Sequence, residues 1–171
     1  SYCMPPEGLD WLPTEETLTD AEVVRLVRIG VERLGIRQVR FTGGEPLLRR
    51  GLEGIIAECS QLRTDEGQTP DLALTTNALG LAKRAQGLRD AGLDRVNISL
   101  DSLDREHYAA ITRRDRLDDV LEGIEAAARA GLSPIKVNTL VLRGMNEADL
   151  PDLVDYCLDR GIDLRVIEQM P

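Results

Sequence analysis

A helix-ending signal recurs four times along this chain and constrains its fold more than any other feature. In each case a glycine followed by an apolar residue closes a helical stretch, at Leu34-Gly35-Ile36, Ala91-Gly92-Leu93, Ala130-Gly131-Leu132 and Arg160-Gly161-Ile162. A left-handed glycine commonly terminates a helix, and the apolar residue after it packs back onto the last turn. The preceding segments carry apolar residues at helical spacing, and Thr19-Asp20-Ala21-Glu22 supplies a capping box for the first. We therefore predict four helices with defined ends.

A short segment with apolar residues at every second position follows each of these helices. The predicted strands cover residues 39–42, 96–101, 135–141 and 164–168, and a fifth, 72–77, follows the apolar segment 52–62. Strands that alternate with helices of about 10 to 15 residues are typical of βαβ units and a parallel sheet. A closed eight-stranded barrel takes about 250 residues. The 171 residues of this chain therefore predict an α/β fold that is either an incomplete (β/α) barrel or an open doubly wound sheet.

The predicted strands are apolar on one face and polar on the other. The polar positions are Arg40, Thr42, Thr75, Asn77, Asn97, Ser99, Asp101, Lys136, Asn138, Arg165 and Gln169. A parallel strand covered by helices on both faces is normally apolar throughout. We interpret the polar face as the wall of a cavity for a polar ligand; the alternative is an open sheet with one solvated face.

Composition and charge exclude several classes of protein. The chain is 42% hydrophobic, which is enough for one core, so we expect a single domain over residues 1–171. A formal net charge of −9 argues against a broad surface for nucleic acid or anionic membranes. There is no apolar run of about 18 residues and no signal-peptide pattern, which predicts a cytoplasmic protein.

The three cysteines of the chain favour free thiols in a reducing compartment over a disulfide framework. Cys59 and Cys157 fall in register with the apolar faces of predicted helices, so we interpret both as small buried hydrophobic residues. Cys3 lies beside Tyr2 in an irregular segment, where no core periodicity accounts for it.

The segment Thr42-Gly43-Gly44-Glu45-Pro46 comes directly after a predicted strand. This is the carboxyl edge at which parallel sheets bind their ligands. Paired glycines let a backbone approach a ligand closely, and Glu45 offers a carboxylate. The spacing fits neither a dinucleotide fingerprint nor a P-loop. An ordinary βα turn is the alternative.

Six segments recur together, in this order, in one family of enzymes. They are Tyr2-Cys-Met-Pro5, Phe41-Thr-Gly-Gly-Glu-Pro-Leu-Leu-Arg49, Leu74-Thr-Thr-Asn77, Asn97-Ile-Ser-Leu-Asp101, Lys136-Val-Asn138 and Arg165-Val-Ile-Glu-Gln-Met-Pro171. In these segments, which run from the first residues to the last, the chain resembles the GTP 3′,8-cyclase family of radical S-adenosylmethionine enzymes. The resemblance implies a partial (β/α) TIM-like barrel of parallel strands, truncated at both ends.

The resemblance also implies a chemistry and its cofactors. In that family a 4Fe-4S cluster on a CxxxCxxC loop binds S-adenosylmethionine, and one-electron reduction releases a 5′-deoxyadenosyl radical. The radical takes the 3′ hydrogen of GTP, and ring closure gives (8S)-3′,8-cyclo-7,8-dihydroguanosine 5′-triphosphate, the first step of molybdenum cofactor biosynthesis. The implied partners are GTP, a one-electron reductant, the downstream pyranopterin-forming enzyme and a second copy in a homodimer.

The residues at matching positions define the expected site. No side chain is assigned a catalytic role. The resemblance places a cluster ligand at Cys3, S-adenosylmethionine contacts at Tyr2, Gly44, Ser99 and Met170, GTP contacts at Arg40, Thr75 and Lys136, and a further phosphate contact at Arg165.

The sequence departs from the family pattern at both ends. The two cysteines that precede Cys3 in the cluster motif are not in the sequence, and neither is the region that binds a second 4Fe-4S cluster in the family. We therefore expect a fragment that is inactive by itself. Two alternatives remain, namely a radical S-adenosylmethionine enzyme that acts on a peptide or other small molecule, and a non-catalytic nucleotide-binding fragment.

We interpret His107 as a surface helix residue and Trp11 as packing a loop.

Overall fold

The structure, a computed structural model, describes residue 13 and residues 16–169. Within them, five strands alternate with six α-helices. The strands are β1 (Gln38–Phe41), β2 (Asp71–Thr76), β3 (Arg95–Ser99), β4 (Ile135–Val141) and β5 (Asp163–Glu168). The helices are α1 (Asp20–Leu34), α2 (Leu52–Ser60), α3 (Leu81–Asp90), α4 (Arg105–Thr112), α5 (Leu117–Arg129) and α6 (Leu150–Asp159), with single 3₁₀ turns at Pro46–Leu48 and Glu147–Asp149.

The strands lie side by side in the order of the chain, and every neighbouring pair is parallel. A doubly wound sheet would reverse its strand order at one point. The consecutive order therefore excludes that alternative and confirms the partial barrel. Within the described residues β1 and β5 each have one neighbouring strand, so this sheet is not closed.

The core lies between the sheet and the helices. The apolar positions of the central strands are completely buried, including Leu72, Leu74, Val96, Ile98 and Val137. They pack in one cluster with the apolar faces of the helices, and α3 also packs against α5. The predicted apolar face is thus the helix-covered face of the sheet.

The predicted helix ends are confirmed. The glycines at positions 35, 92, 131 and 161 have φ values of 67°, 104°, 79° and 63°. At the start of α1, the Thr19 side chain accepts from the backbone N–H of Glu22, while the Glu22 side chain accepts from the N–H of Thr19. These are local signals, so the sequence alone was enough to predict them.

Two of the cysteines are buried thiols, as predicted. Cys59 is 0% exposed and Cys157 is 1% exposed, and both are free. Burial raises the pKa of the Cys59 thiol to about 11, so it remains protonated at neutral pH. The predictions for Tyr2, Cys3, Trp11 and Met170 lie outside the described residues. None of the described helices combines the length and the apolar character that crossing a membrane requires.

Candidate functional site

The face of the sheet opposite the helices is called the inner face. The polar side chains of the strands line up in rows across it. Thr75 on β2 is in register with Asn97 on β3, which is in register with Lys136 on β4. In-register residues of neighbouring strands project from the same face, and strands lie about 4.8 Å apart. The backbones that carry Thr75 and Lys136 are therefore about 10 Å apart. This distance suits two contacts to one elongated ligand.

Two further residues of the inner face flank this row. Arg40 on β1 is in register with Ala73 on β2, so it lies one row closer to the amino ends of the strands. Ser99 on β3, Asn138 on β4 and Arg165 on β5 form the next row toward the carboxyl ends. The fold therefore brings five residues of the expected site onto one face, namely Arg40, Thr75, Ser99, Lys136 and Arg165. The sixth described residue, Gly44, lies in the loop after β1.

Two buried amide oxygens on this face have no hydrogen-bond partner among the described residues. They are Oδ1 of Asn97 and Oδ1 of Asn138, and both atoms are buried. Asn97 is 1% exposed, which contradicts a fully solvated inner face. A buried polar atom without a partner costs about 1 to 3 kcal/mol, so the inner face is suited to a polar ligand or ordered water.

The cations of the inner face differ in their surroundings. The Lys136 ammonium lies 3.0 Å from Oδ2 of Asp163, its in-register neighbour on β5. Arg40 and Arg165 are exposed, and within residues 16–169 neither has an ion-pair partner at 4.0 Å or less. Two guanidinium groups and one ammonium group are thus placed where they could contact an anionic ligand.

The Gly43-Gly44-Glu45 loop lies at the carboxyl edge of the sheet, directly after β1. Oε1 of Glu45 accepts from the Leu47 N–H at 2.9 Å and from the Thr76 hydroxyl at 2.7 Å, and Oε2 accepts from the Asn77 N–H at 2.8 Å. The carboxylate that the sequence offered to a ligand therefore anchors its own loop to the end of β2. Gly43 and Gly44 remain exposed.

A buried asparagine joins the carboxyl ends of β3 and β4, and nothing in the sequence pattern pointed to it. Asn146 is 0% exposed. Its Nδ2 donates to the carbonyl oxygens of Asp101 (2.7 Å) and Leu140 (2.8 Å), and its Oδ1 accepts from the Leu142 N–H at 2.7 Å. The Asp101 carboxylate adds a bond from the Leu140 N–H at 2.8 Å. Together these bonds fix the strand ends that carry Ser99 and Asn138.

His107 lies on α4, as the sequence predicted, but it also contacts a buried carboxylate. Its Nδ1 is 2.9 Å from Oδ2 of Asp149, and the Ser102 hydroxyl donates to the same oxygen. Asp149 is 8% exposed. The hydrogen bond to Asp149, assisted by its charge and by those of Asp104 and Glu106, raises the pKa of His107 above 6.5.

We predict that His107 titrates above its ordinary pKa of 6.5. A raised pKa in the folded state means that the contact with Asp149 stabilises the fold fully below about pH 6.5, and that this contribution is lost as the pH rises through the raised value. NMR titration of the His107 ring protons measures the pKa directly. Asp149→Asn should lower it toward 6.5, and a pKa at or below 6.5 in the unaltered protein would contradict the contact.

The described residues contain no group of three or more His, Cys, Asp or Glu side chains that could hold a metal ion. The predicted cluster ligand, Cys3, lies outside them. The inner face nevertheless fits a polar cofactor at its carboxyl edge. At that edge lie the exposed backbone of Gly43 and Gly44 and the row of Ser99 and Asn138. Oδ1 of Asn138 has no hydrogen-bond partner within the described part of the chain.

A parallel sheet in barrel order, with a polar inner face and a glycine-rich loop at its carboxyl edge, defines the class of this protein. The chain belongs to the Radical SAM superfamily, whose family model matches residues 1–157. Among solved structures, SuiB of Streptococcus suis bound to S-adenosylmethionine shares this fold, with a TM-score of 0.73 and 19% sequence identity over 91% of this chain and 34% of that chain.

Within the superfamily, the chain is similar in sequence to proteins named GTP 3′,8-cyclase. It is 63% identical over 171 residues to that of Corynebacterium glutamicum, covering 100% of this chain and 45% of the relative. It is 58% identical over 170 residues to that of Mycobacterium marinum, covering 99% of this chain and 46% of the relative. The chain thus spans less than half the length of these relatives.

Proposed function

We propose that the protein containing this chain is a GTP 3′,8-cyclase, which converts GTP to (8S)-3′,8-cyclo-7,8-dihydroguanosine 5′-triphosphate at the start of molybdenum cofactor biosynthesis. The observation that carries the proposal is the cationic inner face, found in a chain that is 63% identical to a relative of that name. A chain with a formal net charge of −9 places Arg40, Lys136 and Arg165 on one face, and a triphosphate is an anion that such a face would bind.

The proposed cofactors are S-adenosylmethionine and a 4Fe-4S cluster, with residues 1–171 forming part of the barrel that holds them. When bound and reduced, this pair supplies the 5′-deoxyadenosyl radical. We propose that Gly44 and Ser99 contact S-adenosylmethionine at the carboxyl edge, and that Tyr2, Cys3 and Met170 complete the site. Glu45 and Asn146 hold the loop and the strand ends that carry Gly44 and Ser99 in place.

The proposed substrate contacts are Arg40, Thr75, Lys136 and Arg165. The three cations would bind the phosphates, and the Thr75 hydroxyl would donate to a phosphate or ribose oxygen. In this structure the Lys136 ammonium is paired with Asp163. A phosphate that contacts the ammonium would share it with that carboxylate or displace it. A polyanion does so more readily than a neutral nucleoside because it replaces any charge interaction that is lost.

The test uses the complete protein, reconstituted anaerobically with iron and sulfide and reduced with dithionite. We expect 5′-deoxyadenosine to form only when GTP is present, and deuterium placed at C3′ of GTP to appear in it. If 5′-deoxyadenosine formed with a peptide or another small molecule and not with GTP, the result would favour a radical S-adenosylmethionine enzyme with that substrate. GTP binding without 5′-deoxyadenosine would favour the non-catalytic module. A cytoplasmic location, a homodimer and a downstream pyranopterin-forming enzyme are part of the same proposal.

Replacing Lys136 by glutamine is expected to weaken GTP binding by about 1.5 to 3 kcal/mol, the range for a hydrogen bond to a charged group. This corresponds to a rise of about 10-fold to 150-fold in the Kd. Isothermal titration calorimetry of the complete protein with GTP measures the change, and the effect should be smaller with guanosine.

Two variants serve as controls for Lys136→Gln. Lys83→Gln removes the charge of an exposed lysine on α3 and should leave the Kd unchanged. Asp163→Asn releases the Lys136 ammonium from its carboxylate partner and should bind GTP at least as tightly as the unaltered protein. An unchanged Kd in Lys136→Gln would count against GTP as the ligand of this face.

A further inference from the structure

A guanidinium group lies directly behind the turn that follows the Gly43-Gly44-Glu45 loop. Arg84, on α3, donates through Nη1 to the carbonyl oxygens of Leu47 at 2.5 Å and Arg49 at 3.2 Å. Its Nε donates to Oε1 of Glu53 at 2.7 Å, and its Nη2 donates to Oε2 of the same carboxylate. One side chain therefore connects α3, α2 and the 3₁₀ turn at Pro46–Leu48.

The pair of Arg84 and Glu53 is partly shielded from water and geometrically defined. The Arg84 side chain is 20% exposed and that of Glu53 is 32% exposed. The hydrogen bond from Arg84 lowers the pKa of Glu53, so the carboxylate stays ionised at neutral pH. A two-pronged contact between guanidinium and carboxylate fixes the plane of the guanidinium group. The two N–H groups of Nη1 then point at the carbonyl oxygens of Leu47 and Arg49.

Leu47 connects the loop to two anchors, one through its N–H and one through its carbonyl oxygen. The Leu47 N–H donates to the Glu45 carboxylate, which is also bonded to the end of β2. The Leu47 carbonyl oxygen accepts from Arg84. Glu45 fixes the loop to the sheet, and Arg84 fixes the turn after it to the helices. Gly43 and Gly44 carry no side chain that could pack, so their backbone depends on these two anchors for its position.

We propose that Arg84, oriented by Glu53, is a positioning residue that holds the Gly43-Gly44-Glu45 loop in its ligand-binding conformation. The ligand at this loop is S-adenosylmethionine, an assignment that rests on the proposed function. Arg84 lies behind the loop and is bonded to carbonyl oxygens on the helix side, so it acts on the ligand through the backbone and not by contact.

The chain offers a matched control in a second pair of the same kind. Arg95 donates through Nε to both carboxylate oxygens of Asp71, each at 2.9 Å. The side chains of this pair are 14% and 33% exposed. Arg95 begins β3 and Asp71 begins β2, so the pair lies at the amino ends of the strands, away from the loop. Its removal also takes away a partly shielded ion pair, but it leaves both anchors of the loop in place.

The experiment compares Arg84→Met with Arg95→Met in the complete, reconstituted protein. Equilibrium binding of S-adenosylmethionine and amide hydrogen exchange of residues 43–49 are measured at a temperature where both variants are folded. We expect Arg84→Met to weaken S-adenosylmethionine binding by about tenfold or more, because the released loop must then be ordered each time the ligand binds, and to speed exchange in residues 43–49. Arg95→Met should lower the melting temperature and change neither readout. Arg84→Lys and Glu53→Gln, which preserve part of the network, should give intermediate values.

Equal losses of affinity in Arg84→Met and Arg95→Met, or unchanged exchange of residues 43–49 in Arg84→Met, would overturn the proposal. If Arg84→Met does not fold, Arg84→Lys and Glu53→Gln carry the same comparison. If the unaltered protein fails to bind S-adenosylmethionine, the proposed function fails. In that case the exchange rates of residues 43–49 still decide whether Arg84 positions the loop.

Discussion

Replacing Asn146 by alanine is expected to lower the free energy of unfolding by about 3 kcal/mol or more. The substitution leaves the carbonyl oxygens of Asp101 and Leu140 and the N–H of Leu142 without the partner they have now. Each buried polar group that loses its partner costs about 1 to 3 kcal/mol, and water entering the space offsets part of this. Chemical denaturation followed by circular dichroism measures the change.

Asn138→Ala is the matched control for Asn146→Ala. Asn138 carries an amide on β4, but its Oδ1 has no hydrogen-bond partner among residues 16–169. We therefore expect its removal to leave the free energy of unfolding unchanged or to raise it by up to about 3 kcal/mol, because a buried oxygen without a partner is removed. Similar losses in the two variants would mean that the bonds of Asn146 do not hold the carboxyl ends of β3 and β4 together.

Replacing Glu45 by alanine is expected to have the second large effect, on both stability and ligand binding. The substitution removes the acceptor of two backbone N–H groups and one hydroxyl, those of Leu47, Asn77 and Thr76. Hydrogen bonds to a charged group contribute about 1.5 to 3 kcal/mol each. Because these groups are only partly buried, hydrogen bonds to water replace part of this contribution. We expect the free energy of unfolding to fall by about 2 to 4 kcal/mol. Denaturation and S-adenosylmethionine binding are measured together, and binding should weaken by about tenfold or more.

The control for Glu45→Ala is Glu58→Ala. Glu58 is an exposed carboxylate on α2, so its removal changes the net charge equally without touching the loop. We expect less than about 0.5 kcal/mol for it. If the two variants behaved alike in denaturation and binding, the loop would not depend on the Glu45 carboxylate.

Local features of the fold could be predicted from the sequence because local chemistry specifies them. The strand predicted over residues 135–141 is observed as Ile135–Val141. The strand predicted over 72–77 is observed one residue earlier, as Asp71–Thr76. The difference arises because the Asn77 side chain accepts from the Leu79 N–H at 2.9 Å. Such a bond turns the backbone out of the strand.

Contacts between distant segments could not be predicted in this way. His107 was correctly placed on a helix, but its partner Asp149 lies 42 residues away. Arg84 looked like one of many charged helix residues, and its acceptors lie 31 to 37 residues away. Spacing within a segment reports which face a residue occupies. It does not report which other segment covers that face.

The sequence by itself determined the order of the helices and strands, the two faces of the sheet and the burial of Cys59 and Cys157. Six ordered motifs also indicated membership of the radical S-adenosylmethionine enzymes. Each depends on residues close together in the chain or on the identity of a motif. Only the tertiary structure decided that the strands lie in consecutive order, that Lys136 is paired with Asp163, and that Glu45, Asn146 and Arg84 hold the carboxyl edge in place. These depend on which strands and helices become neighbours, and that is settled when the whole core packs, because a hydrogen bond across 30 or 40 residues leaves no periodic trace in either segment.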